Sequence, residues 1–338
     1  MSIEENIKEE NIKRGTVISG SWNIFTVRLE SDGGGEEPRI IECRIKGKVL
    51  KGVDSFYNPL APGDRVAVGQ GQIVSLEERK NCFTRFNQKG FNAKKSAVGG
   101  GYGTAEAAGS QIIAANVDLA LCVSSPVFPP FRPRFLDRVL AQADYAGIPA
   151  AVICNKWDLY GGDIDIEERL ENFARIGFPV LRVSAQTGKG MEELKGLISG
   201  RFAVLVGQSG VGKSSIINAL RPALPETQRI RTGAINEKYD RGNHTTSQSL
   251  LVDLPGGGAV VDTPGIRRFV PDGISPADLI MSLREFAPLA GTCSFGLSCS
   301  HVSEPGCKIL EAVNAGAIHE ERYESYLRIR EELAGIDR

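Results

Sequence analysis

Apolar and polar residues alternate over short stretches in the first quarter of the chain. Thr16-Val-Ile-Ser, Phe25-Thr-Val-Arg-Leu, Arg39-Ile-Ile-Glu-Cys-Arg-Ile and Arg65-Val-Ala-Val each show the two-residue period of a strand that buries one face. Gly33-Gly34-Gly35, Asn58-Pro59 and Ala61-Pro62-Gly63-Asp64 interrupt them with turn chemistry. Four or five short strands within residues 14–78 predict a small β-barrel of the OB type. The polar, acid-rich residues 1–13 before it are expected to form a disordered tail. Residues 79–111, rich in Lys, Gly and Ala around Gly99-Gly100-Gly101-Tyr102-Gly103, read as a flexible basic linker.

Beyond Ala114 the period changes. Val117–Val123, Pro149–Cys154, Val180–Val183, Phe202–Val206 and Gly258–Val261 are apolar runs of strand length. Arg134–Ala146, Ile166–Ile176, Met191–Leu197 and Lys213–Leu220 separate them with helical patterns. This alternation predicts a doubly wound α/β domain with a parallel sheet over residues 112–270, its ligand site at the carboxyl ends of the strands. Ser275-Pro276 is a good N-cap and first-turn pair, and helices are expected at Lys308–Ala315 and Glu320–Ala334. Residues 271–338 thus read as a small helical third domain.

Gly207-Gln208-Ser209-Gly210-Val211-Gly212-Lys213-Ser214 fits the phosphate-binding loop pattern, between a strand and a helix as that pattern requires. Its backbone N–H groups, with Ser215 opening the helix, suit phosphate oxygens; Lys213 suits the β- and γ-phosphates and Ser214 suits Mg²⁺. Asn155-Lys156-Trp157-Asp158 follows another strand. A carboxylate at Asp158 accepts from both N1–H and the N2 amino group of guanine, a donor pair adenine lacks. Asn155 is expected to brace the neighbouring loops and the Lys156 stem to cover the base, while the Ala185 N–H of Ser184-Ala185 is a candidate for guanine O6. Asp262-Thr-Pro-Gly265 offers a carboxylate for Mg²⁺ through water and an N–H for the γ-phosphate. In Gly242-Asn-His244-Thr245-Thr246, Thr245 and Thr246 are both candidates to complete the Mg²⁺ shell, Thr246 being preferred. Ile266 follows Gly265, where a water-orienting glutamine would be familiar, so His244 is the candidate catalytic residue. Arg267 and Arg268 could assist with charge.

These parts describe a GTPase in a permuted order: the base-reading pair comes first, then the phosphate loop, then Asp262. The segment after Asp262 therefore runs straight into the third domain. A P-loop kinase or ATPase is the competing enzyme class, and Asp158 argues against it.

Composition adds limits. The 338 residues are 41% hydrophobic and 24% charged, with a net charge of −1. No apolar run approaches the roughly 20 residues of a membrane helix, and Met1–Arg14 lacks a signal-peptide core, so a cytoplasmic protein is expected. A nearly neutral chain meets RNA only through local basic patches. One candidate is Arg79, Lys80, Arg85, Lys89, Lys94 and Lys95, interleaved with Phe83, Phe86 and Phe91 for base stacking. Another is Arg39, Arg44, Lys46, Lys48 and Lys51 on the barrel. Of seven cysteines, Cys43, Cys82, Cys122 and Cys154 are scattered and read as packing residues. Cys293, Cys299, His301 and Cys307 form a complete tetrahedral set for one structural Zn²⁺.

Motif order, phosphate loop and Cys₃His cluster together resemble the RsgA (YjeQ) family of ribosome small-subunit-dependent GTPases, from about residue 14 to residue 330. The Ala61-Pro-Gly-Asp-Arg turn, Ala114-Ala-Asn-Val-Asp118 and Gly242-Asn-His-Thr-Thr246 belong to the same resemblance. It implies an OB-fold, a circularly permuted GTPase domain and a zinc domain. It further implies a role late in 30S subunit maturation, stimulation by that subunit, and contact with 16S rRNA by a protein expected to be monomeric. Two features depart from the family pattern: five residues separate Cys293 from Cys299 where four are expected, and the 81–110 stretch is longer and more Gly-rich. The alternatives are a nucleotide-regulated RNA-binding scaffold without catalysis, and a permuted GTPase serving the large subunit.

Overall fold

A computed structural model describes residues 12–21, 24–30, 38–46, 58–87, 109–222, 230 and 249–336. The first five strands are β1 (Lys13–Ser21), β2 (Ile24–Leu29), β3 (Ile40–Ile45), β4 (Arg65–Gly69) and β5 (Gln72–Leu76). They close into a barrel in the order β1-β2-β3-β5-β4, with β1 returning to pair antiparallel with β4. Inward-facing Val17, Phe25, Val27, Cys43, Val66, Val68 and Ile73 fill it, as the period of two requires. A bulge between Val17 and Ser19 bends β1 around the closed wall.

The stretch expected to be a flexible linker is structured at both described ends. β6 (Cys82–Phe86) pairs antiparallel with β7 (Ser110–Ala115). Phe83 is wholly buried, its ring 5.9 Å from that of Phe269, so it is a core residue and not a platform for bases. The Arg79 guanidinium grips the buried Asp64 carboxylate at 2.7 and 2.8 Å, Lys80 Nζ pairs with Asp118 at 2.9 Å, and Arg85 Nε donates to Gln111 at 3.1 Å. Arg79 and Arg85 serve the fold, while Lys80 stays exposed in a surface pair: the strand period of Cys82-Phe-Thr-Arg-Phe outweighs the local composition. Lys89, Phe91, Lys94, Lys95 and the Gly99–Gly103 run lie outside the described residues, as do Lys48, Lys51 and residues 1–11.

A six-stranded sheet follows, built of β8 (Leu119–Ser124), β9 (Ala150–Cys154), β10 (Val180–Arg182), β11 (Phe202–Gly207), β12 (Leu250–Asp253) and β13 (Ala259–Asp262). Its order is β10-β9-β8-β11-β13-β12, parallel except for the edge strand β12, which the sequence did not suggest. The helices are α1 (Pro133–Tyr145), α2 (Ile164–Arg175), α3 (Met191–Ile198) and α4 (Lys213–Leu220). Pro133 presets the first turn of α1, whose Leu136, Val139, Leu140 and Ala143 face the sheet. Asp163 caps α2, accepting from the N–H groups of Asp165 and Ile166 at 3.0 and 3.4 Å. Apolar cores lie on both faces of the sheet, as expected for continuous buried strands.

The last domain carries the two helices its sequence predicts, joined to the sheet domain by short 3₁₀ turns. Residues 278–282, 287–289 and 296–298 form those 3₁₀ turns, and α5 (Lys308–Asn314) and α6 (Glu320–Ile336) are its α-helices among the described residues. It docks on α1 through a buried ionic knot. Arg322 Nη1 donates to Asp137 at 2.7 Å while its other nitrogens grip Glu285 at 2.6 and 3.0 Å. Ser325 and Arg169 also donate to Asp137.

Candidate nucleotide site and metal centre

The phosphate loop leaves the carboxyl end of β11 at Gly207 and enters α4 at Lys213. Gly212 has φ 93°, and a Cβ there would stand 2.3 Å from Asn155 Nδ2, so both backbone conformation and space demand glycine. Val211 is buried, Gln208, Ser209 and Gly210 complete the turn, and Ser215 lies in the first turn of α4. Lys213 is buried, its ammonium donating to the Gly207 and Gln208 carbonyls at 2.9 and 3.1 Å. Burial pulls its pKa down to about 8, with Asp262 opposing. Ser214 Oγ donates to Asp262 Oδ2 at 3.0 Å, and burial pushes the Asp262 carboxyl up against the opposing pull of Ser214 and Lys213. A lysine and a carboxylate both penalised for charge suit a site that takes a phosphate and a cation together.

Asn155 follows the carboxyl end of β9 and joins the loops. Its Nδ2 donates to the Val211 carbonyl at 2.9 Å, and its Oδ1 accepts the Ala185 N–H at 3.1 Å. A guanine O6 would therefore have to compete with Asn155 for that N–H, a constraint not apparent in the sequence. Buried Ser184 donates through Oγ to Asp158 Oδ1 and accepts the Thr187 N–H, which aims the carboxylate. Lys156 adopts a left-handed φ of 61°. Its ammonium donates to the Phe128 carbonyl. Trp157 stacks on Tyr160 at 4.1 Å, with Arg182 over its ring, stiffening the loop behind Asp158.

Asp262 ends β13 beside the phosphate loop. Gly265 packs so tightly that a Cβ would come within 2.5 Å of Ser209 Cα, and the Ile266 N–H donates to the Gly207 carbonyl at 3.2 Å. Ile266 itself is buried in the core, so this position holds packing, not water. Arg267 and Arg268 are exposed, and Arg268 is bonded to Glu332 of α6. His244, Thr245 and Thr246 lie outside the described residues. The loop after β8, which carries no nucleotide motif, also borders the site: Pro129 Cδ comes 3.6 Å from the Cβ position of Gly210. Its signal was available: a Ser-, Pro- and Phe-rich turn at a strand's carboxyl end, where such sheets place ligands.

The four donor atoms of Cys293, Cys299, His301 and Cys307 lie within 4.8 Å of one another, all on buried residues. His301 Nδ1 stands 3.6 Å from Cys293 Sγ and 3.5 Å from Cys307 Sγ, and these two sulfurs are 3.9 Å apart. Tetrahedral Zn²⁺ with its ordinary bond lengths requires about 3.8 Å between sulfurs and about 3.5 Å from sulfur to nitrogen. The cluster fits zinc on geometry as well as donor type. The Lys308 N–H donates to Cys293 Sγ at 3.3 Å, Tyr323 holds the His301 carbonyl at 2.7 Å, and Glu304 collects the N–H groups of Ser300, Val302 and Ser303.

Residues 102–270 match the family described as RsgA GTPase. A small ribosomal subunit biogenesis GTPase RsgA of Bacteroides fragilis is 34% identical over 329 residues, covering 94% of this chain and 96% of the relative. Its counterpart in Chlorobaculum parvum is 38% identical over 308 residues, covering 88% and 93%. The crystal structure of YjeQ from Thermotoga maritima superposes with a TM-score of 0.67 at 30% identity, over 96% of this chain and 99% of that one. With its barrel, its permuted sheet and its Cys₃His cluster in this order, the chain belongs to the RsgA GTPase family.

Proposed function

We propose that the chain binds GTP and Mg²⁺ across the ends of β9, β11 and β13 and hydrolyses the γ-phosphate while serving maturation of the small ribosomal subunit, the role its relatives' names carry. One observation supports it above the rest: Asn155 ties the phosphate loop to the base-reading loops, so that Asp158 and Lys213 face one ligand. In this reading Asp158 reads N1–H and N2 of guanine, Ser184 aims it, and Lys156 covers the base. Gly207–Ser215 with Gly265 cradle the phosphates, and Ser214, Asp262 and Thr246 or Thr245 surround Mg²⁺. His244 positions the attacking water. Cys293, Cys299, His301 and Cys307 hold one Zn²⁺, which supplies structure only, because all four positions are protein-filled.

The rRNA surface in this reading is smaller than the sequence suggested. Exposed Arg39, Arg44 and Lys46 on the barrel carry it, with Lys80, which is exposed in its pair with Asp118, and Lys89, Lys94 and Lys95, while Arg79 and Arg85 drop out because the fold uses them. Contact with 16S rRNA, a monomeric state and a cytoplasmic location belong to the same proposal. Among the described residues no helix is long and apolar enough to cross a membrane. The test is GTP turnover with and without purified 30S subunits, alongside GTP and ATP binding by wild type and Asp158→Asn. Turnover should rise with subunits and ATP should fail to bind. Equal affinity for ATP and GTP, or turnover that stays near zero with subunits, would sink the reading.

A further inference from the structure

The loop between β8 and α1 presents an exposed aromatic ring beside the nucleotide site. Phe128 is 79% exposed and has φ 48°, a left-handed backbone that bulky side chains rarely adopt. Glycine or asparagine would take this conformation readily, and a polar residue would suit the solvent. Neighbouring residues hold the loop in place without using the ring. Ser125 Oγ donates to the Pro129 carbonyl at 3.0 Å, Phe131 packs against the core, and the Phe128 carbonyl accepts the Lys156 ammonium.

These contacts locate residue 128. The ammonium tip of Lys156 meets residue 128, while Lys156 Cε lies 3.9 Å from the Cβ position of Gly212 and Pro129 touches that of Gly210. Residue 128 thus stands where the base-reading loop and the phosphate loop converge. A nucleoside phosphate that places its base at Asp158 and its phosphates at Gly210–Ser214 must lay its ribose across this gap. The C–H face of a ribose is the apolar partner a flat ring can cover.

We propose that Phe128 is a wall of the nucleotide site that packs on the ribose of the bound nucleotide. The proposal rests on the guanine-nucleotide reading above and adds to it a residue that sets affinity without reading base or γ-phosphate. Removing the ring should therefore weaken GDP and GTP alike, by roughly tenfold for an aromatic face taken out of water.

Calorimetric titration of the full chain with unlabelled GDP and a non-hydrolysable GTP analogue tests this. Phe128→Ala should weaken both nucleotides by the same factor. Phe128→Tyr should stay within about twofold of wild type, because the ring remains. Phe128→Asn accepts the left-handed backbone, so it should melt no lower than wild type yet bind as weakly as Phe128→Ala. Unchanged affinity in Phe128→Ala overturns the proposal, as does a loss confined to GTP or an equal loss in Phe128→Tyr. Wild-type affinity with lost stimulation by the subunit overturns it too, assigning the ring to the partner. Failure of the wild type to prefer guanine nucleotides would instead strike the parent reading, a separate result.

Discussion

The buried ammonium of Lys213 should make nucleotide binding a proton-linked event. With its pKa drawn down to about 8, roughly one Lys213 in eleven is charged at pH 9 in the nucleotide-free protein. Phosphates bind the charged form, so binding GDP at pH 9 should draw in about 0.9 proton and be weakened about tenfold relative to the fully charged site. Calorimetry at pH 9 in two buffers of different ionisation enthalpy reads the uptake directly. The same lysine sets a stability slope. Its folded pKa lies below the unfolded value of 10.5, so between about pH 8 and 10.5 the unfolded chain holds more protons and stability rises with pH. Titration of the buried thiols overlaps this window, so the wild type must be read against Lys213→Gln. The difference should grow by about 1.4 kcal/mol per pH unit, reaching about 3 kcal/mol across the window. No proton uptake at pH 9, together with no difference in slope, would refute the reasoning.

Three further outcomes are expected. Arg322→Ala leaves Asp137 and Glu285 buried without their main cation and should cost about 3–5 kcal/mol in denaturant unfolding of the C-terminal domain. Arg134→Ala, which breaks an ion pair with both partners 44% exposed, should cost less than about 0.5 kcal/mol and serves as its control. Cys299→Ser should lower zinc content below one per chain and loosen the same domain; wild type free of zinc by elemental analysis would reject the metal centre. Replacing Lys89, Lys94 and Lys95 with Ala should weaken small-subunit binding and flatten its salt dependence while leaving GTP affinity intact, whereas an unchanged salt slope would confine the RNA contacts to the barrel or the C-terminal domain.

The site was legible where chemistry is written in contiguous residues. Gly207–Ser214 forms its loop from neighbours, and Cys293 to Cys307 closes its cluster within fifteen positions, so residue type and spacing carry the information. What stayed hidden depends on distant partners. β6 is stabilised by β7 across a long glycine-rich stretch and by Phe269, so local composition pointed to a linker while tertiary packing built a strand. β12 is a short antiparallel edge whose one strand partner among the described residues is β13. The Ala185 N–H looked open because nothing near it in sequence shows that Asn155, thirty positions away, would accept it.

Permutation gives these hidden contacts a purpose. In this order the segment leaving Asp262 meets the C-terminal domain directly, and the structure shows what lies along the way. Gly265 presses on Ser209 and the Ile266 N–H is bonded to Gly207, so a shift of the phosphate loop bears on this segment at its start. Phe269 then wedges between Phe83 and Phe135. The Val270 carbonyl accepts the Phe86 N–H at 3.0 Å, and the Asp272 N–H donates to Gln142 at 2.7 Å. Ser110 Oγ donates to the Asp272 carboxylate. Within seven residues the segment is fastened to the phosphate loop, to both strands of the β6–β7 pair and to α1. A close-packed chain of this kind has little slack to absorb a displacement at Gly265. A displacement at Gly265 would therefore be resisted by contacts that run from the phosphate loop to β6, β7 and α1, at the entrance to the C-terminal domain.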